Sequence, residues 1–146
     1  MTQTIEARLQ HLEDLEALRA LQAHYADLVN TGWNGKQTDL DQFSDVFTAD
    51  AYWKSAMMNV DMTGRDNIVN MLQSQMGTPD TINMHNFTSP QFKIDGDTAT
   101  GEWLLWVLVK SDDNTNVVYQ SEDVSYQRTE DGWKIAGLTL NLATIA

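Results

Sequence analysis

The spacing of hydrophobic residues changes near the middle of the chain, and this change restricts the possible folds more than any other feature. Up to residue 76, apolar side chains recur every three or four positions, as on one face of a helix. From residue 83 onward, apolar and polar side chains alternate in long runs, which is typical of half-buried strands. Helices followed by successive strands predict an α+β fold with an antiparallel sheet.

Three helices and one strand are predicted in the first half of the chain. The first helix covers roughly the first thirty residues, with Thr4 as its N-cap and Asn30-Thr31-Gly32 as its end. A short helix is expected over 39–47 and a longer one over 64–76, and residues 51–57 between them are predicted to form a strand.

The second half predicts a meander of long strands. The segments are separated by short turns rich in Asp, Asn and Gly, which favour hairpins. No repeat or linker interrupts the pattern, so residues 1–146 are expected to form one domain. The predicted strands are 83–94, 98–110, 117–128 and 133–142.

The charge of the chain excludes several classes of partner. Nine basic and 21 acidic residues give a formal net charge of −12, which repels nucleic-acid phosphates and anionic lipids. We therefore expect neither nucleic-acid nor membrane binding. The absence of cysteine excludes disulfides and thiolate nucleophiles. The first residues lack the basic and apolar segments of a secretory signal, so a cytoplasmic location is expected.

Among the three histidines, His85 is the strongest candidate for a functional residue. It lies in a predicted strand beside Met84, and strand alternation places His85 and Phe87 on one face. A partly buried imidazole can transfer a proton near neutral pH. The alternative is a structural histidine that is hydrogen-bonded to the backbone. His11 and His24 lie within the first helix and are weaker candidates.

Three carboxylates are candidates for the partner of this histidine. Asp27 lies late in the first helix, and Glu122 and Asp123 are adjacent on a later strand. Because neighbouring strand residues face opposite ways, only one of that pair can point into a pocket, and the sequence leaves the choice open. A buried carboxylate would orient the imidazole or act as a base through a raised pKa. Each carboxylate could instead be a solvated surface charge, and Asp27 could pair with Arg65.

Aromatic residues are frequent, with five tryptophans and four tyrosines. Such residues usually form core, but around a cavity they would suit a flat, aromatic ligand. Trp33 and Trp53 are candidates for its wall, Tyr25 is a candidate hydrogen-bond donor, and Met71 belongs to a set of methionines that could provide an adaptable surface. A glycine-rich phosphate loop, metal-ligand spacing and a serine nucleophile motif are all missing from the sequence. No metal or cofactor is therefore expected, which leaves proton transfer or simple binding.

Short motifs in a defined order resemble the SnoaL-like branch of the nuclear-transport-factor-2-like superfamily. This resemblance implies a cone-shaped, curved antiparallel sheet that is wrapped by N-terminal helices around an internal pocket. The superfamily contains several kinds of enzyme and also non-catalytic subunits, so the fold does not decide the chemistry. The motifs are Tyr25-Ala26-Asp27, Phe47-Thr48-Ala49-Asp50-Ala51-Tyr52-Trp53, Gly64-Arg65-Asp66, Met84-His85-Asn86-Phe87, Asp95-Gly96-Asp97-Thr98-Ala99 and Asp131-Gly132-Trp133-Lys134-Ile135.

Among enzymes of this superfamily, the sequence resembles the scytalone dehydratases, which end much like Trp133-Lys134-Ile135-Ala136-Gly137-Leu138. Their pocket histidine matches His85, and the lindane dehydrochlorinases carry one there as well. In both families it is the base of a cofactor-free elimination. The register also implies that Trp103 points inward. The usual partners of that histidine are replaced here by Asn30, Trp33, Val109 and Leu138.

These observations predict a cofactor-independent lyase that acts by dehydration, or by a related elimination or retro-aldol cleavage, on a small hydrophobic, aromatic, hydroxylated substrate. A non-catalytic ligand-binding or assembly module and a polyketide-cyclase-like or isomerase activity are the alternatives. The resemblance also implies a homo-oligomer, a dimer or trimer. The expected catalytic residues are His85, Asp123, Tyr25 and Asp27, and the expected substrate-binding residues are Asn30, Trp33, Trp53, Met71, Phe87, Trp103 and Leu138.

Overall fold

The computed structural model describes residues 2–146 and confirms an α+β fold, with helices in the first half and long strands in the second. In chain order, the elements are α1 (Ile5–Val29), a 3₁₀ turn (Leu40–Gln42), α2 (Phe43–Val46), β1 (Phe47–Ser55), β2 (Val60–Thr63), α3 (Arg65–Gln75), β3 (Ile82–Asp95), β4 (Thr98–Ser111), β5 (Asn114–Thr129) and β6 (Gly132–Ile145).

The strands form one curved, open sheet in the order β2-β1-β6-β5-β4-β3. The hairpins β3–β4, β4–β5 and β5–β6 are antiparallel, as their turns predict. However, β1 pairs in parallel with β6, so the sheet is mixed rather than wholly antiparallel. A tight hairpin imposes antiparallel pairing, but no hairpin joins β1 to β6, and this constraint does not apply to them.

The segment between α1 and β1 differs from the single helix expected over 39–47. The Asp39 carboxylate accepts a hydrogen bond from the Asp41 backbone N–H at 3.1 Å and caps a 3₁₀ turn, after which α2 lasts only four residues. Phe47 already begins β1, and its ring stacks on Phe43. The strand expected at 51–57 therefore starts earlier and ends at Ser55. β2 was not predicted, because four residues are too few to show an alternating pattern.

α1 packs against the sheet through its second half. Thr4 is its N-cap, as predicted, and the Thr4 Oγ1 accepts a hydrogen bond from the Ala7 backbone N–H at 3.1 Å. Leu18 and Leu28 are buried, whereas Leu9 near the start of the helix is exposed. Within residues 2–146, neither α1 nor any other helix has the length and apolarity needed to cross a membrane.

The side chains of β4 alternate between the inner and the outer face of the sheet. Trp103, Leu105 and Val107 are buried on the inner face, whereas Leu104 and Trp106 are exposed on the outer face. The structure thus places Trp103 inward, as the resemblance implied. Tyr119, Leu142 and Ile145 add further exposed apolar area on neighbouring strands. Such a surface is compatible with the expected homo-oligomer, which stays a prediction.

An ion pair between a buried carboxylate and a partly exposed guanidinium connects the middle of α1 to the sheet. Asp14 is buried, and its two oxygens accept hydrogen bonds from the Arg128 guanidinium at 2.8 and 2.9 Å. The Trp133 indole N–H donates to the same carboxylate at 3.0 Å, and the guanidinium stacks over the Trp133 ring. Hydrogen bonds from Arg128 and Trp133 lower the pKa of Asp14 to about 2.

We expect Asp14→Asn to lower the free energy of unfolding at pH 7 by about 2–3 kcal/mol, because Arg128 loses its charged partner. The folded-state pKa lies below the unfolded value of 3.8, so the carboxylate stabilises the fold above pH 3.8 and loses this effect as the pH falls toward 2. Urea unfolding at pH 7 and pH 2.5 should therefore give a smaller difference at the lower pH. The exposed neighbour Glu13, changed to Gln, is the control, and an equal difference at both pH values would contradict the assignment.

Candidate functional site

The inner face of the sheet and the helices line a cavity of about 250 Å³, slightly smaller than most sites for drug-sized ligands. Exposed Met57 and Met58 from the β1–β2 turn and exposed Gln75 at the end of α3 form its rim. Its apolar wall comprises Val29, Leu72, Met76, Leu105, Val107, Val109, Val118 and Leu140, and its polar or hydrogen-bonding groups come from Tyr25, Trp53, Asn83, His85, Gln120 and Glu122.

A short backbone bridge places the end of α1 beside His85. Thr31 and Asn83 exchange backbone hydrogen bonds at 3.0 and 3.1 Å, so the residue after Asn30 pairs with the start of β3. Gly32 then turns the chain with a φ of +98°, and a Cβ there would lie 2.1 Å from a backbone carbonyl oxygen. The Asn-Thr-Gly sequence that ends the helix therefore also holds Asn30 against the strand that carries His85.

The hydrogen bonds of Asn30 define the tautomer of His85. The Asn30 Oδ1 accepts the backbone N–H of His85 at 2.6 Å, and because a backbone amide can only donate, this atom is the carbonyl oxygen. The same oxygen lies 3.1 Å from His85 Nδ1, which must therefore carry the ring proton. In the neutral ring, Nε2 is left without a proton and is free to accept one.

Burial lowers the pKa of His85 to about 4, because the charged imidazolium would lose its hydration. The orienting side chain, Asn30, has no charge and does not offset this effect as a carboxylate would. His85 is thus a neutral imidazole at pH 7. The ring lines both the cavity and a groove between α1 and β3.

Glu122, and not Asp123, faces the cavity. Gln120, Glu122 and Val124 are buried at alternate positions of β5, whereas Asp123 is exposed and accepts a hydrogen bond from Asn141 Nδ2 at 3.0 Å. The expectation that Asp123 belongs to the pocket is therefore corrected to its neighbour. The cause is the two-residue period of a strand, since the register of β5 turns every second side chain inward.

A chain of hydrogen bonds ends on Glu122. Trp103 Nε1 donates to the Tyr126 hydroxyl at 2.9 Å, this hydroxyl donates to Gln22 Oε1 at 2.8 Å, and Gln22 Nε2 donates to Glu122 Oε1 at 2.7 Å. The indole N–H can only donate, so the Tyr126 hydroxyl oxygen is the acceptor of the first bond. In this arrangement the Tyr126 proton points to Gln22 Oε1, and the Gln22 amide nitrogen donates to Glu122. Glu122 Oε1 is therefore an acceptor, and in the protonated acid Oε2 carries the proton.

Burial raises the pKa of Glu122 to about 8, although the hydrogen bond from Gln22 lowers it, and the negative charge of Asp123 raises it further. Burial, together with the nearby Glu122, also raises the pKa of Tyr25 above its ordinary value. The Tyr25 hydroxyl accepts a hydrogen bond from Trp53 Nε1 at 3.1 Å, which leaves its own proton available for a second acceptor. At neutral pH, the cavity thus holds a neutral imidazole, a mostly protonated carboxyl and a neutral phenol.

The expected substrate-binding residues do not all lie in the cavity. Trp53 lines the cavity, whereas Met71 and Leu138 are buried beside it in the core and do not line it. Trp33 is half-buried in the turn after α1 and likewise does not line it. Large apolar side chains satisfy the same sequence pattern in a core and in a cavity wall, so the pattern alone could not separate the two positions.

Asp27 and the other expected residues lie around the groove between α1 and β3. Asp27 is exposed and forms an ion pair with Lys36 at 2.6 Å, rather than with Arg65 or His85. Because it is solvated and has a lysine partner, it does not supply the buried carboxylate. Residues 2–146 contain no cluster of three His, Asp or Glu side chains that could hold a metal ion. The other expected residues in this groove are Asn30, Phe87 and Trp103.

Two polar residues of the Glu122 hydrogen-bond chain were not predicted, namely Gln22 and Tyr126. Gln22 follows Leu21 and lies one turn before Tyr25, on the buried face of α1. A polar residue at such a position was a usable signal, because a buried amide needs partners. Tyr126 gave no such signal, since a tyrosine at an inward strand position is ordinary core.

We expect Glu122→Gln to raise the free energy of unfolding on the order of 2 kcal/mol at pH 8.5, because the amide is never charged. The pKa of Glu122 is about 8 in the folded state and 4.5 in the unfolded state. The contribution of Glu122 to wild-type stability is therefore greatest below pH 4.5 and falls as the pH rises to 8. Denaturant unfolding at pH 4 and pH 8.5 should show the gain only at the higher pH. Asp123→Asn is the matched control, and the same gain in that variant would refute the inward position of Glu122.

Comparisons with known proteins show which family the chain belongs to. Comparison with curated proteins gives no match. Among solved structures, an NTF2-like protein with a cystatin-like fold from Novosphingobium aromaticivorans is similar at a TM-score of 0.77 and 22% identity, over 94% of this chain and 87% of that one. A scytalone dehydratase-like protein from the same organism has a TM-score of 0.79 and 14% identity, over 93% and 88% of the two chains.

A hexachlorocyclohexane dehydrochlorinase is also similar, with a TM-score of 0.79 and 14% identity, over 95% of this chain and 91% of that one. At such identities these likenesses establish the fold and not the activity. The family model of the SnoaL-like domain matches residues 10–139, which are most of the chain. The protein therefore belongs to the SnoaL-like domain family.

Proposed function

We propose that the protein is a cofactor-independent lyase that eliminates water from a small, hydrophobic, hydroxylated aromatic substrate. One observation carries the proposal. A single apolar cavity holds an imidazole that is unprotonated and a carboxyl that is protonated at the same neutral pH. Environments that push the pKa values of two groups apart are characteristic of an acid–base pair.

His85 is the proposed base. Its Nε2 is free to accept a proton because Nδ1 is bound to Asn30. For a β-hydroxy ketone, Nε2 would remove the proton on the carbon next to the carbonyl, and the electron pair of that C–H bond would form the new C=C bond. Asn30 would keep the ring oriented, as a carboxylate does elsewhere, but without raising its basicity.

Glu122 is the proposed acid. Its Oε2 would deliver a proton to the departing hydroxyl, so that the C–O bond breaks and water leaves. The reaction leaves an imidazolium and a carboxylate, and proton exchange with solvent after product release restores both groups. Tyr25 would assist by donating its unused proton to the substrate carbonyl oxygen, where negative charge develops.

The register supports a substrate that lies diagonally over β4. His85 of β3 pairs with Val107 of β4, whereas Glu122 of β5 pairs with Trp103, so the inward Leu105 between these positions forms the apolar surface beneath. The structural similarity to a scytalone dehydratase-like protein and to a dehydrochlorinase also supports an elimination, because both names denote eliminations. An aromatic substrate fits the apolar wall and the indole of Trp53.

We expect His85→Gln and Glu122→Gln each to lower kcat/KM at pH 7 by about 100-fold or more, since each removes one proton transfer. The probe is 3-hydroxy-1-phenylpropan-1-one, and the absorbance of the conjugated ketone that forms on loss of water reports turnover. Release of formaldehyde in its place would identify the retro-aldol form of the same chemistry.

The controls for this experiment are His11→Gln and Glu13→Gln, which make the same chemical changes at exposed positions. Both should keep wild-type rates. Variants at His85 and Glu122 that retain wild-type turnover while the protein remains folded would refute the mechanism.

A second candidate function is non-catalytic binding of a small apolar ligand. The low pKa of His85 favours it, because an imidazole without a carboxylate partner is a weak base. This alternative predicts that the wild-type protein binds the same probe but forms no product on prolonged incubation. Product formation that depends on His85 decides against it.

A further inference from the structure

Gln120 stands out among the residues of the cavity because its side-chain amide has no partner. The residue is 8% exposed, and its Oε1 is buried without a hydrogen bond to any of residues 2–146. It lies on β5, two positions before Glu122 and on the same inward face. Neither proposed proton transfer uses it.

Most buried amides in proteins are hydrogen-bonded, and an unpaired one reduces stability. The other two buried amides at or near the cavity follow this rule. Gln22 bonds both Glu122 and Tyr126, and Asn83 Nδ2 donates to Thr31 Oγ1 and to the Met76 carbonyl oxygen. Val118 and Leu105 beside Gln120 are aliphatic and offer no side-chain partner. The Gln120 amide is thus a polar group in an apolar wall, and it forms no hydrogen bond that would stabilise the fold.

We propose that the Gln120 amide is a specificity-determining group that binds a second polar substituent of the substrate, of the hydroxyl class. An amide both accepts and donates hydrogen bonds, as a hydroxyl does. A ligand that enters the cavity displaces any water at this amide, and it loses affinity unless it replaces the lost hydrogen bond.

The spacing along β5 specifies the shape of such a ligand. Two residues of a strand span about 6.8 Å, so the Cα atoms of Gln120 and Glu122 lie about that far apart and their side chains extend from the same wall. A single ring with oxygen-bearing substituents at opposite ends matches this arrangement. The cavity volume of about 250 Å³ also favours one ring over several. The inference deepens the proposed function, since it concerns the substrate of the same cavity, but its test requires no turnover.

The experiment compares two probes that differ at one atom, 4-hydroxybenzyl alcohol and 4-ethylphenol, in which a methyl replaces the alcohol hydroxyl. Dissociation constants are measured by titration calorimetry for the wild type and for Gln120→Met, which keeps the length of the side chain and removes its polar atoms. Gln75→Met is the matched control, because Gln75 lies on the rim of the same cavity but is exposed to water.

Wild type should prefer the alcohol, and Gln120→Met should lower the affinity for the alcohol relative to 4-ethylphenol by about tenfold, the effect of one lost uncharged hydrogen bond. Gln75→Met should leave the ratio unchanged. Gln120→Leu provides a second apolar variant if the first fails to fold. An unchanged ratio in the folded Gln120 variant would overturn the inference. A different result would contradict the proposed function, namely unaltered turnover in the His85 and Glu122 variants.

Discussion

The hydrogen-bond chain from Trp103 through Tyr126 and Gln22 to Glu122 is the interaction on which the inner part of the cavity depends. It joins β4, β5 and α1 through three buried bonds of 2.7–2.9 Å. In this arrangement the Trp103 indole and the Tyr126 hydroxyl donate in turn, and the Gln22 amide nitrogen donates to Glu122. The chain thus fixes the position of the Glu122 carboxyl and also which of its oxygens accepts a hydrogen bond.

Burial without a countercharge explains the chemistry of the cavity. Glu122 has an amide as its partner and His85 has the amide of Asn30, so neither charged form is compensated. Each group therefore takes its neutral form, the acid with its proton and the base without one. A cationic partner at Glu122, or an anionic one at His85, would reverse this assignment. The apolar wall is thus an active part of the proposed mechanism, because it sets both pKa values.

The sequence predicted the architecture well, because the spacing of hydrophobic residues shows which positions of each segment are buried. This spacing predicted the four long strands and the order of helices and strands, and it located the start of α1 at Thr4. The parallel pairing of β1 with β6 depends on contacts between distant segments, which spacing does not encode. Four-residue β2 was too short to show a pattern.

The candidate site was less predictable than the fold. His85 was selected as a candidate because it lies in a predicted strand between Met84 and Phe87 and because the resemblance implies a histidine there. The choice between Glu122 and Asp123 stayed open because a one-residue change of register exchanges them. Leu138 and Met71 satisfy the requirements of a core as well as those of a cavity wall. The role of Asn30 depends on the bridge between Thr31 and Asn83, which joins residues that are 52 positions apart.

The central claim is that His85 is a neutral base whose Nε2 is free at physiological pH. The most direct measurement is nitrogen NMR of the protein labelled with ¹⁵N at its histidine rings, recorded from pH 5 to pH 8. We predict a neutral ring with the proton on Nδ1 across this whole range, because burial lowers the pKa to about 4. An imidazolium at pH 6, or a neutral ring with the proton on Nε2, would contradict it.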